Sequence, residues 1–177
     1  RFPKSDSLPQ DYIDALLTYE DQQFYQHPGV NPISLFQALI QNIQSGRIKR
    51  GGSTITMQVI RMSRGNPART IPEKFYEIIL ATRLELSLTK QEILLQYAAH
   101  APYGGNVVGI EAACWRYFGR PLHQLSKAEY AMLAVLPNNP ASICISVDLP
   151  HPDGPINDIT SLLPISIVTS SIAFFSA

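Results

Sequence analysis

Three times in this chain a Ser or Thr is followed three residues later by Glu and then by an apolar run at helical spacing: T-I-P-E from Thr70, T-K-Q-E from Thr89 and S-K-A-E from Ser126. At a helix start the hydroxyl can accept from a free backbone N–H while the carboxylate reaches back to another, so each pattern satisfies two orphan donors and marks a beginning. The runs that follow hold Ile78, Ile79, Ala81 and Leu86, then Ile93, Leu94 and Tyr97, then Ala131, Met132, Leu133 and Val135. Further helices are expected from about Asp11 to Tyr25, Ile33 to Gln44, Thr54 to Met62 and Val108 to Tyr117, the last closed by Gly119. Strand-like alternation is nearly absent up to residue 142, so the spacing predicts a mainly α domain with short Gly and Pro connections.

One domain is expected over residues 1–142. With 45% apolar and 16% charged residues the 177-residue chain has the composition of a globular protein. Residues 1–142 hold all 14 cations against 11 acids, a balance of +3, while Asp148, Asp153 and Asp158 leave −3 beyond them. Residues 143–177 are rich in Pro, Ser, Thr and Ile and read as an atypical tail, disordered or frameshifted. The uncharged stretch from Ile159 to Ala177 reaches the lower length limit of a membrane span, but Pro164 interrupts it and no basic residue flanks it. Cys114 and Cys144 fit neither a disulfide framework nor a metal spacing. Arg1 in place of Met suggests a piece of something longer, with any N-terminal anchor outside it.

Chemistry is concentrated early. In T-Y-E-D-Q-Q-F-Y-Q-H-P-G, Leu16, Glu20 and Phe24 recur every four residues, which on one helix would put Glu20 on the apolar side, sheltered from water and suited to accept a proton. A solvated acidic pair at a helix end is the plainer reading. Residues 22–72 contain no Asp or Glu but include Arg47, Lys49, Arg50, Arg61, Arg64 and Arg69, with Lys74 just beyond. These cations flank G-G-S-T-I-T, where Gly51 and Gly52 let backbone N–H groups approach a ligand before a helix begins, which describes a phosphate site. A basic surface for anionic lipid heads or nucleic acid is the competing reading, although aromatics interleaved for base stacking are missing, so no nucleic-acid partner is expected. Glu77 stands near that stretch and one turn from Lys74, either as part of the site or as a surface ion pair. His27 reads as a local cap or packing residue.

Taken in order, E-D-Q-Q-F-Y-Q-H-P-G, G-G-S-T-I-T-M-Q, K-F-Y-E, K-Q-E-I-L-L-Q-Y and G-I-E-A-A-C-W-R-Y-F-G resemble the five motifs of the family 51 glycosyltransferases, the peptidoglycan polymerase domains of bifunctional penicillin-binding proteins. The resemblance spans roughly residues 8–142. It implies a lysozyme-like α fold and an enzyme at the outer face of the cytoplasmic membrane that polymerises lipid II into glycan strands, releasing undecaprenyl pyrophosphate. It makes Glu20 the base that takes the acceptor 4-hydroxyl proton, and Glu77 a second carboxylate at the pyrophosphate side, acting directly or through a divalent cation (Mg or Mn). It places Asp21, Phe24, His27, Arg50, Gly52, Ser53, Thr54, Gln58 and Lys74 in the substrate-binding set, with no metal-ligand set identified. Partners implied are lipid II, the growing strand, the membrane surface and a transpeptidase domain not present here. The apolar residues Ile33, Leu35, Phe36, Leu39 and Ile40 could dip among lipid heads, core packing being their plainer use. The chain departs from the pattern at Glu73, where Arg is usual, at Leu95, Ala98 and Ala99 for Glu, Leu and Asn, and at Met62 for Asn. Two other readings stay open: a lytic transglycosylase or muramidase, and a truncated module that binds lipid II or a cell-wall partner without turnover.

Overall fold

The computed structural model describes residues 7–32, 35, 52–68, 70–104 and 106–137. The helix expected from Ile33 to Gln44 and the tail 143–177 lie outside them. The described residues form six α-helices and no named strand: α1 (Gln10–Glu20), α2 (Ile55–Ser63), α3 (Ile71–Glu85), α4 (Lys90–His100), α5 (Ile110–Phe118) and α6 (Lys127–Val135), with single 3-10 turns at Phe24–Gln26 and Leu122–Gln124. The mainly α expectation is met.

The three Glu residues that mark helix starts do not all close the same way. At α4 the Thr89 N–H donates to Glu92 at 2.7 Å and the Glu92 N–H donates to Thr89 Oγ1 at 3.3 Å, the reciprocal pair expected. At α6 the Ser126 N–H and hydroxyl both donate to the Glu129 carboxylate at 2.7 Å. Glu129 is buried and also pairs with Arg120, which joins the end of α5 to the start of α6. At α3 Thr70 accepts from the Glu73 N–H at 3.3 Å, but the Glu73 carboxylate turns away to Arg64. Half of that expected box is therefore missing.

The first helix stops five residues short of its expected end. Asp21 leaves the helical region at φ −159°, its N–H closing on the Leu17 carbonyl at 3.0 Å. Its carboxylate is drawn instead to the N–H of Ile55 at 3.2 Å, a tertiary contact that no local pattern announces. Phe24 then enters the core from the 3-10 turn.

Packing follows from the buried faces. The α1 helix lies on α6, α2 lies against α3 and α4, and α4 lies on α5. Tyr12, Leu16, Phe24, Ile55, Ile93, Tyr97 and Leu133 share the main core, while Met57, Ile60 and Ala81 make a smaller one between α2 and α3. Each such aliphatic side chain contributes roughly 1.5–3 kcal/mol on burial. Tyr103, expected in an open turn, is fully buried, with its hydroxyl 3.0 Å from that of Tyr12 and its carbonyl accepting from Tyr117 at 2.7 Å.

Gly29 is where the loop after α1 touches α3. It sits at φ +84°, and a Cβ there would meet the Ala81 carbonyl oxygen at 2.8 Å. Gly119, at φ +65°, has nothing within 4 Å. Gly29→Ala should therefore lose on the order of 2–4 kcal/mol by urea denaturation, left-handed strain plus displacement of backbone, against about 1–2 kcal/mol for Gly119→Ala. Equal losses would contradict the close approach.

Candidate active site

The site begins with a buried carboxylate. Both Asp21 oxygens lie 3.0 Å from His27 Nε2, and one also accepts from the Ile55 N–H. Ile55 is the first residue of α2, so the negative charge sits where that helix presents its free N–H groups. Thr54 caps the same end, accepting from the Met57 N–H at 3.3 Å, and its hydroxyl donates to the Gly29 carbonyl at 2.6 Å. From the other side Lys90 Nζ donates to the His27 carbonyl at 2.7 Å and to Glu85 at 2.8 Å, and rests 4.3 Å over the Phe24 ring. Glu85 also accepts from Thr56 at 2.6 Å. The loop from Asp21 to Gly29 is thus clamped to α2, α3 and α4.

Asp21, Phe24, His27 and Thr54 are all buried, and the polar bonds described above are spent on this scaffold. The structure places them behind the accessible residues, which are Glu20, Gly52, Ser53, Gln58 and Lys74, each partly exposed. Arg50 and Gly51 lie outside the described residues, as do Arg47, Lys49 and Arg69.

The two candidate acids come from different helices and meet a third. Glu20, the last residue of α1, accepts from Gln58 Nε2 at 2.8 Å. Glu77, on α3 and 2% exposed, takes a fork from Arg61, with Nε at 2.5 Å and Nη2 at 2.7 Å. Gln58 and Arg61 are three residues apart on α2, and that spacing puts both on one helix face. Lys74 stands 3.7 Å from Glu77 and donates to Ser53 Oγ at 2.6 Å. Arg61 Nη2 lies 3.5 Å from the same oxygen. One carboxylate against two cations leaves this end of the face positive, beside Ser53 and the start of α2. Arg64 belongs elsewhere, paired with Glu73 and 4.6 Å over the Tyr76 ring.

The sequence reading counted Arg61 among loose cations and missed it as the fork on Glu77. Its spacing from Gln58 was the available signal. Lys90, Glu85 and Tyr97 were missed as well, since only the fold brings them to the loop and to Glu20. Burial, followed by the Glu20 carboxylate, pushes the Tyr97 phenol well above its ordinary pKa. The same two causes raise Tyr19.

A metal cage does not fit here. The Glu77 oxygens are both held by Arg61, and among the described residues no three His, Cys, Asp or Glu side chains gather around a point. Among them, too, no helix is long and apolar enough to cross a membrane.

Known proteins share this sequence over most of its length. A family model described as Transglycosylase matches residues 1–151. Penicillin-binding protein 1C of Escherichia coli is 47% identical over 132 residues, covering 75% of this chain and 17% of that protein. Penicillin-binding protein 1A of Pseudomonas aeruginosa is 46% identical over 134 residues, with 76% and 16% covered. Penicillin-binding protein 1A of Escherichia coli is 39% identical over 137 residues, with 77% and 16% covered. The chain spans about a sixth of the length of these curated relatives. With a family model matched over most of its residues and a helical site built from the motifs that first suggested the likeness, the chain belongs to the transglycosylase family.

Proposed function

We propose that the chain is a peptidoglycan glycosyltransferase that polymerises lipid II and releases undecaprenyl pyrophosphate. The observation that carries this is the shared face of α2, where Gln58 holds one carboxylate and Arg61 the other. A base at one end and cations at the other is what displacement of an anionic leaving group requires.

The acceptor 4-hydroxyl approaches Glu20, whose carboxylate takes its proton as the oxygen attacks the donor anomeric carbon. The bond from that carbon to the diphosphate breaks, and its electron pair leaves with the diphosphate. Attack from the side opposite the leaving group inverts the anomeric configuration, the geometry used by inverting glycosidases. A diphosphate is a stable anion at neutral pH, so positive charge serves it better than a general acid. Lys74, the Ser53 hydroxyl and the first turn of α2 supply that charge and those donors. Glu77 orients Arg61 and Lys74. Any divalent cation would arrive on the diphosphate oxygens, the usual habit of Mg.

The Gln58 amide donating to Glu20 supports an ionised carboxylate, the form of a base. A lytic enzyme of this fold needs a protonated acid to cleave the glycosidic bond and has no use for a diphosphate cradle. Glycan polymer rather than released fragments is therefore the expected product. In the full-length relatives a transpeptidase domain and membrane anchor would hold this module at the outer face of the cytoplasmic membrane. Their penicillin binding would belong outside the matched segment.

Glu20→Gln, nearly isosteric, should fold normally and lower lipid II polymerisation by about 10²–10⁴-fold, the range for losing a positioned base. Near-normal polymer on a gel would remove the mechanism. Lys74→Ala should weaken substrate binding more at low than at high salt, since an exposed cation acts through a screened field. An equal loss at both ionic strengths would argue against a charge contact.

A further inference from the structure

Tyr97 carries a group that the reaction above does not use. It is fully buried on α4, and its hydroxyl has no hydrogen-bond partner among the described residues. Buried hydroxyls are nearly always bonded, so an orphan close to a working group calls for an explanation. Two acceptors are at hand. Tyr12 already shares its hydroxyl with Tyr103 at 3.0 Å. The other is the Glu20 carboxylate, which acts on the Tyr97 phenol more strongly than Tyr12 does. An ionised carboxylate is the stronger acceptor, and a phenol that stays neutral at every working pH can only donate to it.

Glu20 is held on its accessible side by Gln58 alone among the printed side-chain bonds of α2, and Gln58 is only partly buried. An incoming sugar hydroxyl competes for the same oxygen as that amide. When the carboxylate turns to the substrate, a donor behind it keeps the charge from being stranded.

We propose that Tyr97 is a positioning residue for Glu20, its buried hydroxyl serving as a second donor that holds the carboxylate ionised while Gln58 yields to the acceptor sugar. This rests on reading Glu20 as the base. The titratable groups facing the pair are Tyr12 and Tyr19 of α1, Tyr103 of the following loop and Cys114 of α5, the phenols and thiol all raised by burial. The neighbouring Asp21 is occupied by His27, and Lys74 and Arg61 by Glu77. No printed cation competes with Tyr97 for the role.

The test is the titration of Glu20 by carboxyl 13C NMR in the full chain without substrate, its resonance assigned by Glu20→Gln. Tyr97→Phe should fold with unchanged or higher Tm, because it deletes a hydroxyl that makes no bond. It should raise the Glu20 midpoint and move the acid limb of the polymerisation profile to higher pH by about one unit. Tyr103→Phe breaks a bond within the same cluster and should lower Tm while leaving Glu20 in place. A Glu20 midpoint identical in the native chain and Tyr97→Phe overturns the proposal. If that variant does not fold, the Tyr97 Cζ resonance of the native chain decides: it should shift as Glu20 titrates, and a flat response overturns the idea. Because the titration involves no turnover, its failure is distinct from failure of the catalytic reading, which loss of polymerisation in Glu20→Gln addresses separately.

Discussion

A buried carboxylate left unbonded would be among the least favourable groups a small helical domain could contain, and Asp21 is made tolerable by what it ties together. Its oxygens take the His27 imidazole and the first N–H of α2, so the end of one helix becomes the anchor of the next. Break that link and α2 loses its position relative to α1. Gln58 then no longer meets Glu20, although Arg61 and Glu77 could still find one another across α2 and α3. The neighbouring contacts reinforce the link: Thr54 holds Gly29, and Lys90 holds the His27 carbonyl and Glu85.

This separates holding from reacting. Residues adjacent in the chain have opposite duties, Asp21 facing inward and Glu20 outward, because α1 ends between them. Phe24 and His27 stay with the scaffold, Phe24 under the Lys90 ammonium and His27 against Asp21. The outward set is small: one carboxylate with its amide at one end of a helix face, and Ser53 and Lys74 at the other. Rigid elements supply each member, and a proton transfer and a departing anion both require that fixity.

Much of this was legible in the order of residues, and the failures have physical causes. Helix starts at Thr89 and Ser126 were readable because capping is a local interaction. The start at Thr70 was only half readable, since the Glu73 carboxylate preferred a cation on the preceding turn of chain. The end of α1 was misplaced because its cause, the Ile55 N–H, lies 34 residues away. Glu20 and Glu77 were found as acids framing an acid-free cationic stretch. Their relation to each other was not, as it runs through Gln58 and Arg61 on a third helix. Tyr97 looked like core, and it is core. Only the missing partner of its hydroxyl sets it apart.

The central claim is that one face of α2 unites a proton acceptor and a diphosphate cradle. A crystal structure of the chain with a non-reacting lipid II analogue that keeps its diphosphate measures this directly. The account predicts phosphate oxygens within hydrogen-bond reach of Lys74 Nζ and Ser53 Oγ, with the acceptor 4-hydroxyl against the Glu20 carboxylate. A diphosphate bound away from Lys74, or Glu20 and Glu77 opening onto separate surfaces with the sugar touching neither, would contradict it.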